Sequence, residues 1–110
     1  MKHMLIIYGN TEAWDALTED DIRARDEAHG SVFRELRDTG ELIDGGELSQ
    51  EGSRVVRRGS VVDGPFTEGR ELVGGYYIID VVDTDRAVEI ANRLKEVDSS
   101  VVDVRRFVDH

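Results

Sequence analysis

The stretch Gly74-Gly75-Tyr76-Tyr77-Ile78-Ile79-Asp80-Val81-Val82 decides the fold. From Tyr76 to Val82 it is rich in aromatic and β-branched residues and follows a glycine pair, so it reads as the strongest strand of the chain. Asp83 or Thr84 then offers an N-cap. Beyond it, Ala87, Ile90, Ala91, Leu94 and Val97 recur at helical spacing and predict a second helix with one apolar stripe. Val101 to Phe107 reads as a final strand. The second half of the chain is therefore β-α-β.

The first half repeats the pattern. His3 to Gly9 is a β-rich run ended by Gly9-Asn10. Thr11 to Leu17 is a connector that carries the only tryptophan, Trp14. Thr18 is placed to cap a helix with Asp21 three positions on and Glu19 and Asp20 in the first turn. Ile22, His29 and Leu36 recur every seven residues with Arg25, Val32 and Phe33 between them, one face of a helix running to about Thr39. Gly40 suits the residue just past its end. Glu41 to Glu47 can hold a short strand broken by Gly45-Gly46. Arg54 to Arg58 and Ser60 to Asp63 read as a hairpin turning at Arg58-Gly59, and Thr67 to Val73 as a polar connector. Two split βαβ halves of this kind predict an α+β ferredoxin-like sandwich, an antiparallel sheet with two helices on one face plus an inserted hairpin. Its bare sheet face needs a cover, and a second copy of the chain is the simplest one.

Composition narrows the function classes. The 110 residues make one domain, 1–110, with 39% apolar content. Net charge is −10, from 24 acidic and 14 basic side chains. That field disfavours direct contact with nucleic acid or an anionic membrane surface. The absence of cysteine removes disulfides and thiolate chemistry. The run Leu5-Ile6-Ile7-Tyr8 is too short for a membrane span, so the expected location is the cytoplasm.

His29 is the residue around which chemistry is expected. An imidazole titrates near neutrality and moves protons in both directions. On the apolar stripe it either faces a cavity between helix and sheet or is a core histidine bonded to a carbonyl or tyrosine hydroxyl. Gly30 beside it costs helix stability and makes sense if something must approach closely. Asp63 is read either as the partner of His29 or as turn chemistry in Asp63-Gly64-Pro65. Tyr76 and Tyr77 must face opposite sides of their strand. Either of them, or Tyr8, could meet His29 or a substrate, and Trp14 either lids a cavity or staples the helix. His3, His29 and His110 lack metal-ligand spacing, so no metal and no cofactor are expected.

Val61 to Val81, VVDGPFTEGRELVGGYYIIDV, is similar to the signature of DGPF-type proteins within the YCII-related family. The opening MLIIYGN, FRELRDTGEL in the first helix and the closing VVDVRRF also resemble that family. The resemblance implies a dimeric α+β barrel. It implies small cofactor-free enzymes with a proposed His–Asp active site, the histidine lying eleven residues before the glycine that ends the first helix. His29 stands at that distance from Gly40. The aspartate of the wider family lies after the second helix in an Asp-Pro-Tyr element. Here Val97-Asp98-Ser99-Ser100 lacks the proline and tyrosine, and Asp98 is the positional match. The resemblance also implies an association with alternative sigma factors. The expected activity is acid–base chemistry, an elimination or isomerisation, on a small organic molecule. The catalytic candidates are His29, Asp63 and Asp98, with Tyr8, Trp14, Tyr76 and Tyr77 binding substrate. The alternative is a non-enzymatic small-molecule-binding or regulatory module.

Overall fold

The computed structural model describes residues 1–67 and 69–110. Glu68, within the connector expected over Thr67–Val73, lies outside the described residues. In chain order the elements are β1 (Lys2–Gly9), α1 (Thr11–Asp15), α2 (Glu19–Thr39), β2 (Leu42–Glu47), β3 (Arg54–Arg57), β4 (Ser60–Asp63), β5 (Leu72–Asp80), α3 (Thr84–Ala91), a 3-10 turn (Lys95–Asp98) and β6 (Val102–Arg106). Four strands form one sheet in the order β2-β5-β1-β6, and every neighbouring pair is antiparallel. With α2 and α3 on one face this is the ferredoxin-like α+β sandwich. The hairpin β3–β4 forms a separate two-stranded sheet.

Local chemistry sets the helix limits. The Thr18 hydroxyl accepts from the Asp21 amide at 3.1 Å while Asp21 accepts from the Thr18 amide at 2.9 Å. This reciprocal cap satisfies two amides that the first turn would otherwise leave unpaired. Gly40 ends α2 at φ +81°, a conformation that costs glycine little. Asp83 caps α3 by accepting from the Arg86 amide at 2.8 Å.

Strand alternation divides the sheet faces. His3, Leu5 and Ile7 of β1 and Tyr77 and Ile79 of β5 point to the helices and are buried with Val32 and Leu36 of α2. Val81 just after β5, Ala87, Ile90 and Ala91 of α3 and the following Leu94 complete that core. Met4, Ile6, Tyr76 and Ile78 point to the other face, which no element among the described residues covers, and they remain half-buried.

Several features depart from the sequence reading: the connector expected over Thr11–Leu17 holds α1, and β5 begins at Leu72, ahead of the expected Tyr76. Gly45-Gly46 does not break β2. Those residues pair with Tyr77 and Tyr76 in register, one ring over each glycine. A Cβ at Gly45 would lie 3.1 Å from the Tyr77 ring, and one at Gly46 3.3 Å from the Tyr76 ring. The rings supply the packing that the glycines lack. The second helix also ends early, at Ala91. Leu94 takes an extended conformation at φ −82°, ψ 135°, and the chain resumes as the 3-10 turn. That break reorients everything after it. No helix among the described residues is long and apolar enough to cross a membrane.

Candidate active site

The helix α2 is longer than the core it covers. Val32 and Leu36 in its C-terminal half are buried, whereas Ile22 and Phe33 are partly exposed. Its N-terminal half therefore stands over open space between helix and sheet. That space is a cavity of about 710 Å³, bounded by α1, α2, the ends of β1 and β5, and β2 with the loop after it. The volume falls in the range of ordinary small-molecule sites.

Glycine makes room for its aromatic wall. The Trp14 indole on α1 lies so close to Gly9 that a Cβ there would be 2.4 Å from Nε1, and Gly74 faces the same ring at 3.3 Å. Gly74 is also the extra residue of a bulge, since Ile7 pairs with Gly75 but Tyr8 with Val73. The bulge re-aims the chain where Tyr8 joins the cavity wall.

His29 sits on this wall with both ring nitrogens engaged. Nδ1 lies 2.7 Å from the Tyr77 hydroxyl. Nε2 lies 2.7 and 2.9 Å from the two oxygens of Glu96. The His29 and Tyr77 rings stack at 5.8 Å between centroids, and Phe33 tilts against Tyr77 at 6.5 Å. The His29 side chain is 24% exposed and that of Glu96 17%.

Electrostatics fixes the direction of these bonds. Burial alone would raise the Glu96 carboxyl, but hydrogen bonding to His29, its charge, a backbone bond and the field of Arg25 hold it below the ordinary value. Glu96 is thus a carboxylate and only accepts, so Nε2 carries the hydrogen. In the neutral ring Nδ1 then has a free lone pair and Tyr77 donates to it. Burial, and next the Glu96 charge, push the Tyr77 hydroxyl up to about 12, so it stays protonated near neutrality. When the ring gains a proton, Nδ1 becomes a donor to the Tyr77 oxygen, and the tyrosine hydrogen is free to turn elsewhere. The charge on His29 thereby sets whether Tyr77 offers a lone pair or a hydrogen. The arrangement has the form of a nucleophile or base, an imidazole and an orienting carboxylate in a line.

The other residues singled out from sequence divide into two groups. Tyr8, Trp14, Tyr76 and Tyr77 all line the cavity with His29. Tyr76, on the opposite sheet face from Tyr77, donates to Asp44 at 3.2 Å, and that carboxylate raises its hydroxyl above the ordinary value. Asp63 and Asp98 are not at the imidazole, which corrects the expected His–Asp pairing. Asp63 ends β4 on the separate hairpin, 89% exposed and 3.4 Å from Arg54. Asp98 closes the 3-10 turn with its side chain exposed, while Glu96, two residues earlier, turns inward. Gly30 does not clear space for His29 either. A Cβ there would meet only the Arg34 guanidinium, at 3.2 Å. His3 shows what a core histidine looks like here: fully buried, its Nδ1 donates to the Met1 carbonyl at 3.1 Å and its Nε2 accepts from Thr84 at 2.9 Å.

Glu96 escaped the sequence reading because of the early helix end. In a helix continued to Val97, Glu96 lies six residues after Ile90, about 240° around the axis and off the apolar stripe. The only local signal is its place between buried Leu94 and half-buried Val97. Among the described residues no three acidic or histidine side chains gather to hold a metal ion.

Fold and site together define a small α+β protein with a ferredoxin-like sheet and a histidine-centred cavity under its first long helix. The chain matches the family model for the YCII-related domain over residues 1–109 and belongs to that family. A search of curated proteins finds no match.

Proposed function

We propose that this protein is a cofactor-free acid–base catalyst acting on a small organic molecule, by elimination or isomerisation. One observation carries the reading: His29 bridges Tyr77 and Glu96 on the wall of a ligand-sized cavity. Because both ring nitrogens are occupied, His29 works through its neighbours. A substrate proton passes to the Tyr77 oxygen as the tyrosine's own proton moves to Nδ1, and Glu96 stabilises the imidazolium. The reverse transfer returns a proton to the product, so the cycle consumes no external acid or base. Membership of the YCII-related family is compatible with this reading and names no substrate.

The test is proton exchange in deuterated water. A panel of small carbon acids, including ketones, lactones and hydroxy acids, is incubated with the protein and followed by NMR. Deuterium incorporation that His29→Gln and Tyr77→Phe abolish, without loss of fold, supports the proposal. No exchange with any compound, despite ligand binding in the cavity, would favour the non-enzymatic binding module.

We propose further that the protein works as a homodimer through the face carrying Met4, Ile6 and Ile78. These apolar side chains project from the uncovered side of the central strands. A second copy would cover them with the same surface in isologous packing. Ile78→Glu should yield a folded monomer by light scattering; an unchanged mass, whether one copy or two, would remove this proposal.

A further inference from the structure

We infer that Arg25 anchors a carboxylate of the ligand, so that the cavity takes a small monocarboxylic acid with an aromatic or apolar body. This rests on the reading of the cavity as a small-molecule site and names the class of molecule. Arg25 lies one turn before His29 on the same face of α2, and both line the cavity. Its side chain is 27% exposed, and its ionic contact is Nε to the neighbouring Asp26 at 3.9 Å, beyond hydrogen-bond reach. Among the described residues its guanidinium makes no hydrogen bond. Arg86 is a contrast: it grips Glu41 through Nε and Nη2 at 2.9 Å each and Glu89 through Nη1 at 2.9 Å. Glu96 feels the charge of Arg25, yet both of its oxygens are committed to His29.

An open guanidinium fork matches a carboxylate, two parallel N–H donors against two oxygens. The rest of the wall limits the ligand's charge. Asp26, Glu47, Glu51 and Glu96 also border the cavity. They oppose a dianion or a phosphate, while a single carboxylate is compensated by Arg25. Trp14, Phe33 and Ile22 supply apolar contact for the body of the molecule. A carboxylate on Arg25 would lie one helical turn from His29, whose Nδ1 is bonded to the Tyr77 hydroxyl on the same cavity wall.

Benzoate, benzamide and phthalate probe the anchor, with Trp14 fluorescence and amide NMR shifts as readouts. Benzoate should bind about tenfold or more tighter than benzamide, the scale of one charge-assisted pair, and tighter than phthalate. Arg25→Gln should reduce benzoate to the level of benzamide, Arg25→Lys should recover part of the difference, and His29→Gln should keep it. Equal binding of acid and amide, a preference that survives Arg25→Gln, a preference for phthalate, or no binding of benzoate up to its solubility would each overturn the inference. Proton exchange scores the catalytic reading separately: benzoate selectivity without exchange keeps the anchor and removes the catalysis.

Discussion

Replacing Glu96 by glutamine tests the electrostatics of the site with almost no change of shape. Glutamine keeps an acceptor for Nε2–H of His29 but removes the charge. A hydrogen bond to an ionised partner is worth about 1.5–3 kcal/mol, against about 0.5–1.5 kcal/mol for a neutral one. Part of that loss is recovered, because glutamine is cheaper to bury than a carboxylate. The net cost should be about 1 kcal/mol, which in urea lowers the unfolding midpoint by about 0.5–1 M for a chain of this size. The cost also depends on pH. The fold holds Glu96 below the ordinary glutamate value, so its stabilisation is complete above the unfolded-state value and is lost as pH falls through the lower native one. Wild type and Glu96→Gln should therefore differ at about pH 7, and the gap should close as pH falls through the lowered native value of Glu96. The assay is urea unfolding at a series of pH values, with the difference between the two proteins removing the effect of the other carboxylates. Equal midpoints at neutral pH, or a gap that persists in acid, would refute the description of Glu96 as a carboxylate paired with His29.

Tyr77→Phe removes the donor to Nδ1 in a buried place and should cost about 1–2 kcal/mol in urea unfolding while preserving the fold. Gly75→Ala should cost about 2 kcal/mol or more, since its Cβ would sit 2.8 Å from the Gly46 carbonyl, a backbone atom of the paired strand. Gly30→Ala should do the reverse and stabilise by up to about 1 kcal/mol in thermal unfolding, because only a flexible arginine tip stands near. Asp63→Asn and Asp98→Asn should leave the exchange activity and its pH profile unchanged, as neither carboxylate reaches the imidazole.

The order of the strands and of α2 and α3 was legible because several of them carry their own punctuation, whereas α1 was read as a connector. Thr18 with Asp21, Gly40, Asp83 and the Arg58-Gly59 turn mark boundaries by local hydrogen bonding and backbone freedom alone. The stripe of α2 was legible too, but not that its N-terminal half overhangs the core. That depends on where α1 and the loop after β2 come to rest. Gly45-Gly46 looked like a break since a glycine pair weakens an isolated strand, whereas cross-strand cover by Tyr76 and Tyr77 is a non-local fact. The carboxylate partner of His29 was misplaced for a similar reason. The family resemblance favoured an aspartate, with Asp98 as the positional match, while Asp63 stood in a motif that turn chemistry alone explains. The inward carboxylate came instead from a helix that ends after Ala91 and restarts in a new phase. Arg25 was visible on the stripe, but that its guanidinium makes no hydrogen bond among the described residues appears only once its neighbours are placed.

The most direct test of the central claim is the nitrogen spectrum of the His29 ring, in protein labelled with ¹⁵N at histidine and assigned by His29→Gln. The neutral ring should carry its hydrogen on Nε2 with Nδ1 bare, Tyr77→Phe should perturb Nδ1 first, and Glu96→Gln should perturb Nε2 first. A neutral ring with its hydrogen on Nδ1, or a spectrum unmoved by both substitutions, would contradict that claim.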